Sequence, residues 1–213
     1  MSISPRGRGL ALVVCAMVVL VPRFATAEVI DFTASVWYDG GVPNGGTTIS
    51  GQITIDPTAV AVTSGGTSHG YAYYAPTAPA TFTMTTDGGF AQSRSLTSVY
   101  VAEASIGAEG YVFDADVGTI GVTPFTRLEL SFSNNPPNLG AITSLNVPTS
   151  ISLGIFEFTD ALYYVYDAQG NLIDRLNGTV TYVNVAPVPL PAAAWLLLSG
   201  LGGLGVFTRR RAA

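Results

Sequence analysis

Histidine and cysteine, which readily act as a general base or as a nucleophile near neutral pH, occur once each in this sequence. The chain has one histidine, His69, within the Gly/Ser-rich stretch TSGGTSHG, so a Ser-His-Asp arrangement could be built only around it. The single cysteine, Cys15, lies in the apolar N-terminal stretch LALVVCAMVVLV. We therefore predict no zinc site and interpret His69 as an exposed loop residue without a catalytic role.

Four carboxylates lie close together in the sequence, namely Glu103, Glu109, Asp114 and Asp116. Two of them could catalyse glycoside hydrolysis if the fold placed them face to face. The segment DADVG also puts Asp114 and Asp116 before a glycine, which is a fragment of the pattern in calcium loops. Because the chain has 14 acidic residues, such neighbours are expected by chance. We predict solvated acids at strand ends, no catalytic residue and no cofactor, and leave calcium near Asp114 and Asp116 open.

Aromatic side chains suggest a different kind of site. The clusters YAYY (71–74) and LYYVY (162–166) contain six of the ten tyrosines, and Trp37 and Tyr38 form another pair. Exposed tyrosine and tryptophan offer an apolar face and a polar edge, which suits carbohydrate binding. Alternation along a strand would direct half of each cluster into the core. Carbohydrate binding is therefore an alternative that the sequence leaves open.

These side chains must be positioned by β-strands. Thr, Val, Ile, Tyr and Phe recur between residues 28 and 184, and Gly, Pro, Asn or Asp interrupt them about every eight to twelve residues. In VIDFTASVWY, Ile30, Phe32 and Ala34 share one face, and TISGQITID and TRLELSFS alternate in the same way. The pattern predicts an all-β fold, an antiparallel β-sandwich or jelly roll of roughly nine to eleven strands.

Turn residues divide the remaining candidate strands. YVYDAQGNLI predicts a hairpin whose turn is 167–171. The apolar face changes within TSISLGIFEF, which predicts a strand with a bulge near Gly154. Long loops are predicted at 40–46, 63–70 and 133–140. The other candidate strands are 71–74, 80–86, 96–103, 110–116, 161–167 and 178–185.

The central part of the chain is strongly acidic. All 14 acidic residues lie between Glu28 and Asp174, and only Arg94, Arg127 and Arg175 oppose them, which gives a formal charge of −11. Such a surface repels DNA and anionic lipid headgroups. We therefore predict no nucleic-acid partner.

The N-terminus has the layout of a secretory signal peptide. Arg6 and Arg8 precede an apolar run of 12 residues (10–21), and Ala25 and Ala27 form an A-x-A cleavage site before Glu28. At about 1.5 Å per residue the run would span only about 18 Å as a helix, well short of the roughly 30 Å bilayer core. Residues 1–27 are thus predicted to be a signal helix that is removed after export.

The C-terminus, VPLPAAAWLLLSGLGGLGVFTRRRAA, predicts a membrane anchor. Residues 192–207 carry no charge and would form a helix about 24 Å long, a short but feasible span. Trp195 lies near one end, where an indole suits the membrane interface, and Arg209, Arg210 and Arg211 follow the other. By the positive-inside rule, the arginines remain cytoplasmic and the body lies outside.

This ending resembles the PEP-CTERM sorting domain of Gram-negative bacteria. In that family a Pro-x-Pro motif precedes a membrane helix and an arginine cluster, and a membrane protease, exosortase, recognises the segment. Val188, Pro189, Leu190 and Pro191 match a VPLP-type motif, with Leu190 in place of the family's glutamate. The resemblance implies that the chain is exported, held at the inner membrane, and processed on its way to the cell surface or the extracellular matrix.

Together these features predict three segments: a signal peptide (1–27), a β-sandwich body (28–185) and a sorting signal (186–213). The expected function is that of a non-catalytic surface or extracellular-matrix protein, associated with exopolysaccharide or biofilm. Its expected partners are an exosortase-like protease, the inner membrane and extracellular polysaccharide. The alternative is a carbohydrate-binding or carbohydrate-active β-sandwich domain exported by the same route.

Overall fold

The computed structural model describes residues 27–55, 61–65, 70–76, 80–102, 109–135, 142 and 144–187, with backbone only for 61–65. Within these ranges the chain forms eleven strands and one short 3₁₀ turn, Leu153–Ile155. The strands are β1 (Glu28–Asp39), β2 (Thr48–Ile55), β3 (Ala61–Gly65), β4 (Tyr71–Tyr74), β5 (Thr81–Thr86), β6 (Ala91–Ser95), β7 (Ser98–Ala102), β8 (Glu109–Val117), β9 (Phe125–Asn134), β10 (Phe158–Tyr166) and β11 (Leu172–Pro187).

All eleven strands belong to one sheet in the order β3-β4-β7-β8-β9-β10-β11-β1-β2-β5-β6, and neighbouring strands are antiparallel. The sheet curls, so that Phe90 beside β6 contacts Tyr163 of β10 with 4.8 Å between ring centroids. The prediction of an all-β antiparallel fold is confirmed. Instead of two separately paired sheets, hydrogen bonds join the strands into one continuous curled sheet.

The inner face of the sheet carries the core. Ile30, Phe32 and Ala34 of β1 are buried, as the alternation predicts, and the inward residues of β2 and β9 are buried with them. Removing a side chain the size of Leu128 or Phe132 from water contributes about 1.5–3 kcal/mol. Since the described part has no cysteine, its stability depends on this core and on the strand ladder.

Two sequence predictions about strands are wrong. Residues 149–157 form a loop with the 3₁₀ turn, and β10 begins only at Phe158. Phe156 packs on Tyr111 and Phe132, so the apolar residues of this loop lie against the core although they do not form a strand. The predicted loop 63–70 begins inside β3.

Two strands, β3 and β6, were not predicted at all. β6 shows why. Its sequence, AQSRS, is polar because β6 is an edge strand, paired only with β5 and exposed along much of its length. The hairpin with its turn at 167–171 is confirmed, since the Asp167 N–H donates to the Asn171 carbonyl.

Both termini of the described body meet at one end of the sheet, where Glu28 of β1 pairs with Pro187 of β11. The predicted signal helix and membrane helix lie outside the described residues. Within the described ranges, the chain has no helix with the length and apolar character needed to cross a bilayer.

Candidate functional site

Strand register places one continuous row of residues across the outer face of the sheet, from β8 to β1. Asp114 of β8 opposes Glu129 of β9, which opposes Leu162 of β10. Leu162 in turn opposes Asn177 of β11, and Asn177 opposes Tyr38 of β1. The row therefore joins an acidic cluster on β8 and β9 to an aromatic cluster on β10, β11 and β1.

The aromatic cluster depends on a bulge in β1. The register between β1 and β11 shifts between Val36 and Tyr38, which leaves Trp37 without a partner opposite it. A bulge redirects the side chains that follow it. Trp37 and Tyr38 consequently lie side by side, 6.3 Å apart between ring centroids, with 57% and 45% of their surfaces exposed.

Arg175 of β11 lies among three rings. Its guanidinium carbon is 6.0 Å from the ring centre of Trp37, 5.1 Å from that of Tyr38 and 5.5 Å from that of Tyr164. We call these four residues the aromatic platform. Contacts of this geometry are favourable cation–π interactions.

Hydrogen bonding orients Arg175 but leaves its charge without an acidic partner. Its Nε–H donates to Asn177 Oδ1 at 3.0 Å, and Asn177 is 1% exposed, so this acceptor is fixed. All salt bridges among the described residues belong to Arg127. The remaining N–H groups of the Arg175 guanidinium can therefore donate hydrogen bonds to a ligand oxygen.

The platform continues toward the end of the sheet farthest from Pro187. Tyr166 lies 6.4 Å from Tyr164 and 5.9 Å from Phe125, ring to ring. We call this end the distal end; it comprises the β8–β9 connection (118–124) and the β10–β11 connection (167–171). Exposed apolar side chains around it are Val117, Ile120, Val122, Leu172 and Ile173.

The acidic cluster is organised by Arg127 of β9. Its Nε–H and one terminal N–H donate to the two carboxylate oxygens of Asp116 at 3.0 and 3.2 Å. Asp114 Oδ1 is 3.8 Å from Arg127 Nε, and Glu129 Oε2 is 3.6 Å from its Nη1. One cation therefore faces three carboxylates, with Asp116 bound in the bidentate geometry that suits a guanidinium.

Burial changes the protonation of this cluster. Loss of hydration raises the pKa of Asp114 to about 7, Arg127 opposes this rise, and Glu129 adds to it. The Ser98 hydroxyl donates to Asp114 Oδ2, while Oδ1 is buried and accepts no hydrogen bond. Burial also raises the pKa of Glu129 and that of Asp160. The prediction of solvated acids is therefore wrong for Asp114, whose side chain is only 14% exposed.

The carboxylates singled out in the sequence are not all brought together. Glu109 is fully buried on the inner face, where Oε1 accepts the Ile142 N–H at 2.6 Å. Asp114 and Asp116 lie on the outer face, and Glu103 lies outside the described residues. In the part of the chain that the structure describes, no group of three or more His, Cys, Asp or Glu side chains is placed to hold a metal ion. The calcium alternative gains no support there.

A second group of tyrosines lies on β4 and β7, on the side of the acidic cluster away from the aromatic platform. Tyr71 and Tyr100 are 5.9 Å apart with their planes at 30°, and Tyr73 opposes Tyr100 across β4 and β7. Tyr74 points inward and donates its hydroxyl to the Leu145 carbonyl at 2.5 Å. The prediction that alternation splits this tyrosine cluster is confirmed.

One cleft, of about 230 Å³, lies beneath the loop before β10 and is lined by Tyr111 and residues 144 and 146–150. Ligand pockets usually enclose roughly 300–1,000 Å³. Among the described residues, its lining has hydroxyl and amide groups but no carboxylate, histidine or cysteine.

The sequence-predicted sorting residues cannot be placed in this geometry. His69, Ala25, the motif at 188–191, Trp195 and the arginines at 209–211 lie outside the described residues, and Ala27 lies half-buried just before β1. The signal for the aromatic platform was present in the Trp37–Tyr38 pair, but Arg175 and Tyr164 are distant from it in sequence. No protein-family model, curated protein or solved structure matches the chain.

Proposed function

We propose that this chain is an exported, non-catalytic protein of the cell surface or extracellular matrix, sorted through a C-terminal exosortase-type signal. The observation that carries the proposal is the order of features after Pro187: the VPLP motif, an uncharged run of 16 residues (192–207), and the cluster Arg209 to Arg211. The partners are an exosortase-like protease and the inner membrane.

The position of the chain ends supports this proposal. β11 ends at Pro187, directly before the motif, and β1 begins at Glu28, the first residue after the predicted signal cleavage site. Cleavage at either site would leave all eleven strands intact. Both sites flank the same end of the sheet, because Glu28 and Pro187 are paired. With β11 rising about 3.3 Å per residue, the distal end would lie about 50 Å from the processed end.

The outer face also supports a non-catalytic role. Arg127 holds three of its carboxylates, those of Asp114, Asp116 and Glu129, and an acid–base pair needs a groove with room for substrate between the two groups. The scaffold that we infer for this role is a β-sandwich-like body, formed where the curled sheet folds one part over another.

Intact mass spectrometry of the chain from its native host, comparing membrane and extracellular fractions, tests the sorting proposal. We expect an extracellular form that begins at Glu28 and ends near Pro191. Replacing Pro189 and Pro191 with alanine should retain the chain in the membrane fraction, whereas Pro187→Ala, just outside the motif, should not. A mature form found only in membranes and still carrying Arg209 to Arg211 would contradict processing.

A second candidate function is carbohydrate binding by an exported domain. The observation that favours it is the aromatic platform, where two largely exposed rings, Trp37 and Tyr38, flank an arginine without an acidic partner among the described residues. This candidate uses the same export route and differs only in giving the body a ligand.

A further inference from the structure

We propose that the aromatic platform is a binding site for a neutral polysaccharide built from pyranose sugars. This inference rests on the second candidate function and assigns it a location and a class of ligand. Four features support it, namely the exposed rings, the orientation of Arg175, the charge of the body and the position of the platform.

The two exposed rings supply the stacking surface. A pyranose ring has a C–H face that packs against an aromatic ring and a rim of hydroxyl groups that form hydrogen bonds. Trp37 is the largest exposed aromatic residue among the described residues, and Tyr38 beside it is inclined by 56°. Two inclined rings of this kind suit a twisted chain of sugars better than a flat crystalline surface.

Arg175 supplies hydrogen bonds that need no rearrangement. Its Nε is committed to Asn177, and the rings of Tyr38 and Tyr164 limit the movement of its guanidinium. Sugar hydroxyls can accept hydrogen bonds from the remaining N–H groups. A side chain that is already held in place loses less conformational entropy on binding, so more of the contact energy contributes to affinity.

Charge favours a neutral polymer over an acidic one. The body has a formal charge of −11, and a polymer with a carboxylate on each sugar would be repelled along most of its length. Arg175 alone cannot compensate for that repulsion over an extended chain.

The location of the platform suits a polymer outside the cell. Trp37, Tyr38 and Arg175 lie toward the distal end, away from Glu28 and Pro187. Tyr166 extends the same band of rings past Tyr164, which lengthens the surface along which a polymer can lie. A chain anchored or processed beyond Pro187 would present this band away from the membrane.

Tryptophan fluorescence of the full chain can test this site directly. The chain has two tryptophans, so Trp195→Phe leaves Trp37 as the single reporter. The protein is purified in a detergent without a sugar headgroup and titrated with hydroxyethyl cellulose, soluble starch, galactomannan and, as the acidic polymer, alginate. We expect at least one neutral polymer to change the Trp37 emission and to retard the protein in affinity electrophoresis.

Variants identify the platform as the site. In affinity electrophoresis, Trp37→Ala, Tyr38→Ala and Arg175→Gln should each weaken binding about tenfold, as truncation of a central binding residue does. Tyr182→Ala is the matched control, because Tyr182 is a β11 tyrosine that is 53% exposed but lies near Pro187, and it should bind like the parent chain. Far-UV circular dichroism verifies that each variant keeps its strands.

Three results would overturn the proposal: no response to any neutral polymer, equal binding by the platform variants and the parent, or tighter binding of alginate than of every neutral polymer. The parent titration decides the first and third results even if a variant fails to fold. The binding assay does not depend on processing of the chain. A negative binding result would therefore leave the sorting proposal unaffected, and correct sorting would not support the binding proposal.

Discussion

At the scale of single residues, the outer face contains two arginines in opposite situations. Arg127 is surrounded by carboxylates and neutralises part of their charge, whereas Arg175 is surrounded by rings. The difference arises from their neighbours across the strands, since Arg127 opposes Asp116 and Arg175 opposes Tyr164. The first arginine therefore stabilises the sheet, and the second remains available to a ligand.

Asp114 makes the stability of the protein depend on pH. Its folded-state pKa is about 7, raised by burial above the ordinary value of 3.8. The folded state thus retains a proton that the unfolded chain releases between pH 4 and pH 7, so the contribution of Asp114 to stability falls as the pH rises through this window.

Asp114→Asn should remove this dependence, because asparagine is neutral at every pH. We expect the variant to be more stable than the parent by about 2 kcal/mol at pH 8, because the parent then holds a buried carboxylate whereas the variant is neutral. At pH 4 the two should be nearly equal. Urea unfolding at both pH values measures the difference.

The matched control is Asp31→Asn, on the outer face of β1, where Asp31 accepts a hydrogen bond from Gln52. This variant should keep the parent's pH dependence between pH 4 and pH 8. Equal stabilisation by Asp114→Asn at both pH values would show that Asp114 is not the group that titrates.

At the scale of elements, close approach of neighbouring strands imposes glycine where β8 begins. Gly110 of β8 faces Ser133 of β9, and a Cβ at this position would collide with the carbonyl oxygen of Phe132 and lie 2.9 Å from the Ser133 Cα. Backbone atoms in the middle of a sheet cannot move aside without breaking the hydrogen bonds between the strands. The glycine therefore permits the pairing of β8 with β9, and with it the position of the acidic cluster.

Gly110→Ala should accordingly destabilise the fold by about 3 kcal/mol, the magnitude that overpacking produces. Gly154→Ala provides the comparison, since a Cβ there meets nothing within 4 Å and the change should stay within about 0.5 kcal/mol. Chemical denaturation of both variants measures the two effects. A Gly110→Ala chain as stable as the Gly154→Ala chain would contradict the assigned strand contact.

At the scale of the whole molecule, one sheet and one core predict cooperative unfolding. Among the described residues, most buried apolar side chains form one cluster that draws on strands across the sheet, from Ile53 of β2 to Val99 of β7. A single core without cross-links normally unfolds in one step.

In the Trp195→Phe background, Trp37 emission reports the distal end and far-UV circular dichroism reports all strands. We expect the two probes to give coincident urea midpoints, with no change on addition of a thiol reductant, because the body has no cysteine. Midpoints that differ would mean that the distal end unfolds separately.

The sequence by itself determined most of the strand-forming segments and the face that each of them buries. Alternation places Ile30, Phe32 and Ala34 inside without reference to any other strand, because the period of a strand is a local property. Composition likewise sets the charge of the body, and the motifs at both ends predict export and sorting without the fold.

Only the tertiary structure decided which side chains meet. Trp37 reaches Arg175 through a bulge in β1. Asp114 loses its hydration between β7 and β9, where it lies opposite Ser98 and Glu129, which are 16 and 15 positions away in the sequence. Strand order and register are long-range choices, so no local pattern reveals them. The polar edge strand β6 and the covering loop before β10 escaped prediction for the same reason, since their neighbours determine their conformation.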